Sequence, residues 1–401
     1  MSRLRVAVVI TRLQAGAGGV ALRGALALDP LRFEITIIAG DSGGDADSDG
    51  SSDSMLVRAA EAGLRVVRVR ELVSQISPAN DVRALHRLTE QLAAGGYQVA
   101  HTHSAKAGAL GRLAAERAGT PRVVHTYHGF PFHEFQSRFR RGAYIGIERY
   151  LGQRTDVMLA VGGAVAAEAV RRGIAPPERV RVINPAISTV GSASTPAIRV
   201  AARVALRAPV GCKVVGTVGR VDYQKSPDGF VEAIAALRRR DVYAVWIGDG
   251  PMRQRMERLA VRRGLAGRFL CTGHRDDVPS LLPGLDVFVM ASRYEGLPCA
   301  VAEAMAAGLP VVATAVNAVP GVVLPGETGL LAGPERPRQL AAAIRYMLDH
   351  PGEAARMAVA GRRLITDNFA PEALAAVLED SYEGGAGLAR PRRIAALPES
   401  A

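Results

Sequence analysis

Short, unbroken apolar runs recur along this chain, each followed by a segment that suits a helix. RVAVVI (5–10) and FEITIIAG (33–40) bracket the helix-like ALRGALALD, and further runs stand at 65–69, 99–103, 122–127, 157–161 and 180–184. Runs that are apolar at every position suit strands buried on both faces, the condition of a parallel sheet. Strands that alternate with helices build such a sheet with helices on both sides. After 192–211 the rhythm restarts, with runs at 214–219, 244–250, 269–274, 287–292 and 310–315. The pattern predicts an α/β protein with two successive doubly wound units. The expected divisions are 1–191, a connection over 192–210, a second unit over 211–370, a helix within 371–390 and a tail over 391–401.

Length agrees, because 401 residues exceed what one core usually organises. No apolar stretch reaches the roughly 18 residues that span a bilayer, and VAVVI is too short for the core of a signal peptide. Cys212, Cys271 and Cys299 are isolated, with no CxxC spacing, which argues against a disulfide framework or a cysteine zinc site. A cytoplasmic location is the expectation. The net charge of +12 is unevenly spread: residues 1–100 hold 11 Lys/Arg and 11 Asp/Glu, whereas 101–200 hold 14 against 6. Concentrated positive charge suits phosphate-rich ligands, anionic lipid or nucleic acid. Arginine-rich runs such as RRG and RRR also fit a general compositional bias.

The acidic stretch 41–54, DSGGDADSDGSSDS, reads as a solvated loop. Asp45, Asp47, Asp49 and Gly50 imitate the start of a calcium-binding loop, but Leu56 stands where the bidentate Glu is needed. A dinucleotide fingerprint also fails in AGAGGV (15–20), since Ala21 takes the third glycine position counted from Gly16. Gly16, Gly18 and Gly19 still form a small-residue turn after the first strand, where a ligand can approach backbone N–H groups.

The second unit holds richer chemistry. In TVGRVDYQKSP, Arg220 and Lys225 follow a strand at the carboxyl edge of the sheet, where ligands of open α/β sheets bind. A forked guanidinium and a point-charge ammonium suit a diphosphate. IGDGP, with Gly248, ends the next strand at the same edge, where a base or ribose fits. In SRYEGLPCAVAEAMAAGLPVVATA, Glu295 lies on a turn and Glu303 eight residues on, in a helix beginning near Pro298. The helix end favours phosphate, and a carboxylate can accept two sugar hydroxyls.

These residues resemble a known family. E-G-L-P-x4-E followed by EAMAAGLPVVAT is similar to the E-x7-E signature of retaining glycosyltransferases of family 4, which have the GT-B fold. GRVDYQK, IGDGPMRQRME, RDDVPSLLPGLDVFV and GETGLL follow in the family's order, and HTHSAKAGALGRLAAERAGTPRVVHTYHGFPFHEFQ resembles bacterial members that build surface polysaccharides. The resemblance implies two Rossmann-like domains facing across a cleft, the first binding an acceptor and the second a nucleotide-sugar, probably UDP-linked. It implies that Arg220 and Lys225 hold the diphosphate and Glu303 the ribose. Gly248 and Leu297 would line the donor site, while Glu295 faces the donor sugar and His128 stands near the transferring centre. It further implies no metal and no cofactor beyond the co-substrate, and a sugar, lipid-linked or small-molecule acceptor. The chain departs from the family in three places: GAGGVAL lacks the acid of the usual GGAE, NPA (184–186) replaces PNG, and NAVPG (317–321) replaces G-G-x-P-E.

Five of eight histidines, His101, His103, His125, His128 and His133, cluster in the sequence. A zinc site is the sharper reading, but no HExxH helix accompanies them, and structural roles are expected for all except His128. In 130–154, Phe130, Phe132, Phe135, Phe139 and Tyr144 interleave with Arg138, Arg140 and Arg141. This pattern suits either a buried acceptor-domain helix or docking on the anionic inner face of a membrane. The rival functions are a sugar-nucleotide epimerase of the same fold, a transferase acting on a small natural product, a transferase that binds without turnover, and a nucleic-acid binder. The last lacks any RNA-binding aromatic motif or helix-turn-helix signal, so no nucleic-acid partner is expected.

Overall fold

The computed structural model describes residues 3–13, 15–40, 51–130, 132, 136–187, 195–296 and 298–384. The first half runs β1 (Leu4–Ile10), α1 (Ala15–Ala27), β2 (Phe33–Gly40), α2 (Ser51–Glu61), β3 (Arg65–Val69), α3 (Pro78–Gly95), β4 (Val99–His103), α4 (Ala105–Arg117), β5 (Arg122–Tyr127), α5 (Arg138–Gly152), β6 (Val157–Val161), α6 (Gly163–Arg171) and β7 (Val180–Ile183). The second half runs α7 (Pro196–Ala205), β8 (Lys213–Val218), α8 (Pro227–Ala236), β9 (Val242–Ile247), α9 (Arg253–Arg262), β10 (Phe269–Cys271), α10 (Val278–Leu281), β11 (Val287–Met290), α11 (Cys299–Ala306), β12 (Val311–Thr314), β13 (Leu330–Ala332), α12 (Pro337–Asp349), α13 (Pro351–Asn368) and α14 (Pro371–Glu383).

Every strand pair is parallel. The orders are β3-β2-β1-β4-β5-β6-β7 and β10-β9-β8-β11-β12-β13. Each sheet reverses direction once, between β1 and β4 and between β8 and β11. At such a reversal neighbouring loops diverge and leave a crevice at the carboxyl edge. The apolar runs are the buried strands: β6 and β9 are buried at every residue. Each buried aliphatic side chain there contributes roughly 1.5–3 kcal/mol relative to exposure. Separate apolar clusters cover the two faces of each sheet.

Helix boundaries follow local chemistry. Thr195 caps α7 by accepting from the Ile198 N–H, with Pro196 in the first helical position. Gly96, at φ 57°, closes α3 in the left-handed region. α7 lies in the stretch expected to be a connection, and it is tied to the second sheet through Arg199 and Arg203, which both pair with Asp286.

Two expectations need correction. The acidic stretch is not loop to its end, because α2 begins at Ser51; Leu56 and Ala59 bury themselves in the first core and carry the helix with them. Asp45, Asp47, Asp49 and Gly50 lie outside the described residues. The small-residue segment 15–20 is the opening of α1 rather than a turn. A Cβ on Gly18 would stand 2.6 Å from the Leu13 carbonyl carbon, so the glycine serves a close backbone approach within a helix. β13 was not expected from the sequence, being only three residues long.

The last helix returns to the first sheet. Leu374, Leu378 and Tyr382 of α14 join the core beneath β1 and β2. Arg32 pairs with Glu379 and Glu383 at 2.6 and 2.5 Å, and Arg122 Nε donates to the Ser381 carbonyl.

Candidate active site

The loop after β8 carries Arg220 and Lys225, and it is held in place by its neighbours. Gly219 N–H donates to Ile247 O at 3.0 Å, Val221 N–H to Asp249 O at 2.8 Å, and Trp246 Nε1 to Gly219 O at 2.8 Å. A Cβ on Gly248 would lie 2.2 Å from Gly219 O, so Gly248 allows the loops after β8 and β9 to touch. The loop after β11 is sewn to the same segment from the other side. Arg293 donates through its backbone to Gln224 O and through Nη1 to Tyr223 O, with its guanidinium 4.3 Å from the Tyr223 ring centroid. Gln224 Nε2 donates to Tyr294 O at 3.1 Å.

The result brings together two residues 70 positions apart. Lys225 Nζ meets Glu295 Oε1 at 2.6 Å, directly above the β8/β11 reversal. Ser292 Oγ donates to the same oxygen at 2.6 Å, Gln224 Nε2 reaches Oε2 at 3.4 Å, and the Glu295 N–H donates to Asn317 Oδ1 at 2.9 Å. Glu295 is 8% exposed, so its carboxylate is enclosed and fully partnered. Arg220 stands exposed two residues after β8.

α11 starts after Pro298 with no side-chain cap, which leaves its first N–H groups available. Glu303, in its second turn, is partly buried. Burial raises its carboxyl pKa, against the pull of Arg23 and Lys225. Burial and Glu303 push the Cys299 thiol up to about 11. Cys299 and Glu303 thus lie in an enclosed setting at α11, where the charges of Arg23 and Lys225 both act on them. Leu297 lies outside the described residues.

The first domain meets this site through the loop after β5. A Cβ on Gly296 would fall 1.6 Å from the His128 carbonyl oxygen, so the two domains touch backbone to backbone and only glycine fits there. His128 Nε2 shares a hydrogen bond with His103 Nδ1 at 3.0 Å, and their rings stack at 5.2 Å. His101, two residues from His103 on the same face of β4, joins Tyr382 Oη through Nδ1 at 2.6 Å and Thr126 Oγ1 through Nε2 at 2.7 Å. His125 faces the opposite side and bonds Thr102 Oγ1. Burial lowers the pKa of His101 to about 3 and of His128 to about 4, and holds His103 and His125 well below the ordinary histidine value. Among the described residues no three His, Cys, Asp or Glu side chains are grouped to hold a metal. His133 lies outside them.

Gly16 approaches the second domain as well: a Cβ on it would be 4.0 Å from Cys299 Sγ. Gly18 and Gly19 follow one turn along α1. Thus Gly16, His128, Lys225, Glu295 and Glu303 converge on one cleft, with Arg220 and Gly248 at its second-domain edge. Sequence reading missed Ser292, Gln224, Asn317 and Arg23. Asn317 had a signal, as the polar residue opening the divergent NAVPG, and Ser292 had one, three residues before its partner Glu295; Gln224 and Arg23 had none, because the groups they face are distant in the chain.

Two doubly wound domains, facing across a cleft with a cation–carboxylate pair at a strand-order reversal, have the architecture of the GT-B fold. The fold is shared with Anabaena HepE solved with UDP and glucose, at 18% identity and a TM-score of 0.82, covering 95% of this chain and 100% of that one. Residues 15–190 match Glycosyltransferase Family 4, and 212–350 match Glycosyl transferases group 1. The chain is 30% identical over 331 residues to the Escherichia coli UDP-Gal:alpha-D-GlcNAc-diphosphoundecaprenol alpha-1,3-galactosyltransferase, covering 79% of this chain and 80% of the relative. It is 31% identical over 295 residues to D-inositol 3-phosphate glycosyltransferase of Salinispora tropica, covering 68% and 61%. This chain belongs to glycosyltransferase family 4 and is a glycosyltransferase.

Proposed function

We propose that the enzyme moves a sugar from a UDP-sugar to a hydroxyl of a lipid-linked acceptor, with retention of anomeric configuration and without a metal. The observation that carries this reading is the Lys225–Glu295 pair set against the uncapped start of α11. Lys225 and Arg220 neutralise the diphosphate, the α11 N–H groups face it, and Glu303 accepts the ribose hydroxyls. Glu295 holds Lys225 in position and faces the donor sugar together with His128. As the bond between sugar C1 and the diphosphate oxygen breaks, its electron pair goes to the diphosphate, whose charge the cations stabilise. The acceptor oxygen forms the new bond to C1 on the same face and gives its proton to the departing diphosphate. Cationic side chains thus take the role a metal ion has in other phosphate chemistry.

The lipid-linked acceptor is favoured by α5. Ile145, Glu148 and Leu151 point inward, whereas Arg138, Arg140 and Arg141 flank in the sequence Phe139, which is 90% exposed, with Ile147 and Tyr150 half exposed further along the helix. Phe130 and Phe132 are not part of this surface, since Phe130 packs on Tyr127 and Phe132 stacks on Phe130 in the core. A basic face with an exposed aromatic suits an anionic bilayer, and the E. coli relative acts on an undecaprenol diphosphate. Among the described residues no helix is long and apolar enough to cross a membrane.

A panel of nucleotide-sugars tested with undecaprenol-diphosphate-linked GlcNAc, read by product mass and by the NMR coupling at the new anomeric carbon, tests the reading. Transfer from a UDP-sugar with the anomeric configuration kept is expected. An inverted product, turnover that requires added divalent metal, or an epimer from UDP-sugar alone would each refute part of it. Co-sedimentation with phosphatidylglycerol vesicles but not with phosphatidylcholine vesicles, lost in Phe139→Ala, is expected for membrane docking.

A further inference from the structure

α1 carries a cation with no ordinary employment. Arg23 lies one turn beyond the glycines, and its guanidinium folds back over them: Nη1 is 2.9 Å and Nη2 3.5 Å from where a Cβ on Gly19 would stand. Its Nε is buried with no hydrogen-bond partner. Some arginines of this protein pair with Asp or Glu, as Arg112 does with Glu148 and Arg203 with Asp286, yet Arg23 has no ion pair among the described residues. Nevertheless it faces the second domain. Gly16, in the same helix opening, approaches Cys299 Sγ, and the Arg23 charge reaches both Cys299 and Glu303. Lys225 reaches the same two groups from the other side of the cleft.

A guanidinium is always charged and offers five donors in a rigid fork. Enclosing one of its nitrogens without a partner is unfavourable, and here the neighbouring side chains do not relieve it. An anion entering between Arg23, Lys225 and the start of α11 would offset the charge of this guanidinium. Lys225 is paired with Glu295 at 2.6 Å, whereas Arg23 acts on Glu303 across the cleft without forming an ion pair with it. A side chain on Gly19 would collide with this guanidinium, so the glycine is what lets Arg23 lie back along α1. The arrangement has three sides from two domains, which suits a ligand with several charged oxygens.

We propose that Arg23 is a diphosphate ligand supplied by the first domain, completing a site with Lys225 and the first turn of α11 so that the phosphate-bearing substrate bridges both domains. This rests on the reading that a diphosphate binds at α11. The diphosphate belongs either to the nucleotide-sugar or to the acceptor, and the two sources separate experimentally. This chain lacks the acid its family usually has beside the first-loop glycines, with Ala21 in that stretch, so no carboxylate from there competes for Arg23.

The test is calorimetric titration of the full chain and of Arg23→Gln, Arg23→Lys and Lys225→Ala with UDP, with uridine, and with inorganic pyrophosphate on UDP-saturated protein. If the donor is the source, Arg23→Gln weakens UDP by about tenfold or more, as for one lost charge-assisted hydrogen bond. Uridine binding is then unchanged and Arg23→Lys is intermediate. If the acceptor is the source, UDP binding is unchanged and pyrophosphate binding to the UDP complex disappears in Arg23→Gln. Unchanged binding of both ligands overturns the role of Arg23, while a weakened Lys225→Ala keeps the α11 reading intact. If UDP, GDP and ADP all fail to bind the unaltered chain, both ideas fall. Equal thermal midpoints for the Arg23 variants and the parent exclude misfolding as the cause.

Discussion

Acidification from pH 7.5 to 5.5 is expected to destabilise the first domain by an amount that can be worked out from four side chains. His101, His103, His125 and His128 all have pKa values below the ordinary one because burial disfavours their charged forms. Protonating one would also place like charges in a tight group, with ring centroids 4.2 Å apart for His101–His103 and 5.2 Å for His103–His128. In the unfolded chain each titrates near 6.5. The unfolded state therefore binds more protons wherever pH lies between the depressed folded values, about 3 for His101 and about 4 for His128, and 6.5. Stability rises with pH through that window, is fully present above it, and is lost as pH falls. At pH 5.5 all four remain neutral when folded, and each costs about 1.4 kcal/mol relative to high pH by that linkage. The sum is about 5–6 kcal/mol, comparable with the whole stability of many domains, about 5–15 kcal/mol. Carboxylates with depressed values, such as Glu168, Asp241 and Asp277, act only at lower pH. Urea titrations followed at the two pH values should show a large fall in midpoint with the slope little changed, and an uptake of between three and four protons on unfolding. Equal midpoints at pH 7.5 and 5.5 would mean that these imidazoles are not neutral and buried, and the reasoning would fail.

Three other perturbations test the remaining structure. Gly296→Ala places a methyl group against the His128 carbonyl, so turnover should fall at least tenfold while thermal unfolding of the separate domains changes little; parent-like turnover would show that the domains need not touch there. Arg112→Met strips Glu148 of the arginine that holds it at 2.9 Å in the core, with Tyr127 also bonded to that carboxylate. The expected loss is about 3–5 kcal/mol in chemical denaturation, with much of it recovered in Arg112→Met/Glu148→Leu. Lys225→Ala and Glu303→Ala should each remove most turnover with the fold retained by circular dichroism, and parent rates in both would count against the donor-site assignment.

Much of this molecule could be read before any coordinates. VMLAV and AVWIG are apolar at every position, and they became strands buried on both faces. Strand–helix alternation, the restart after residue 211 and the carboxyl-edge placement of Arg220, Lys225 and Glu295 all come from patterns within ten or twenty residues. The E-x7-E spacing likewise placed Glu303 in α11, because a helix turns at a constant rate. Where reading failed, a distant partner had intervened: Leu56 and Ala59 drew the acidic stretch into α2, and the glycines of 15–20 joined α1 rather than a turn.

The pairing of β8 with β11 puts Lys225 against Glu295, and the meeting of two domains puts Gly296 against His128 and Arg23 near Glu303. None of these contacts leaves a mark in the local order of residues. Periodicity records which face of an element avoids water, a property each segment has alone. Which elements then lie side by side depends on strand order, on the return of α14 and on closure of the cleft. Those arise only when the whole chain buries its apolar surface at once.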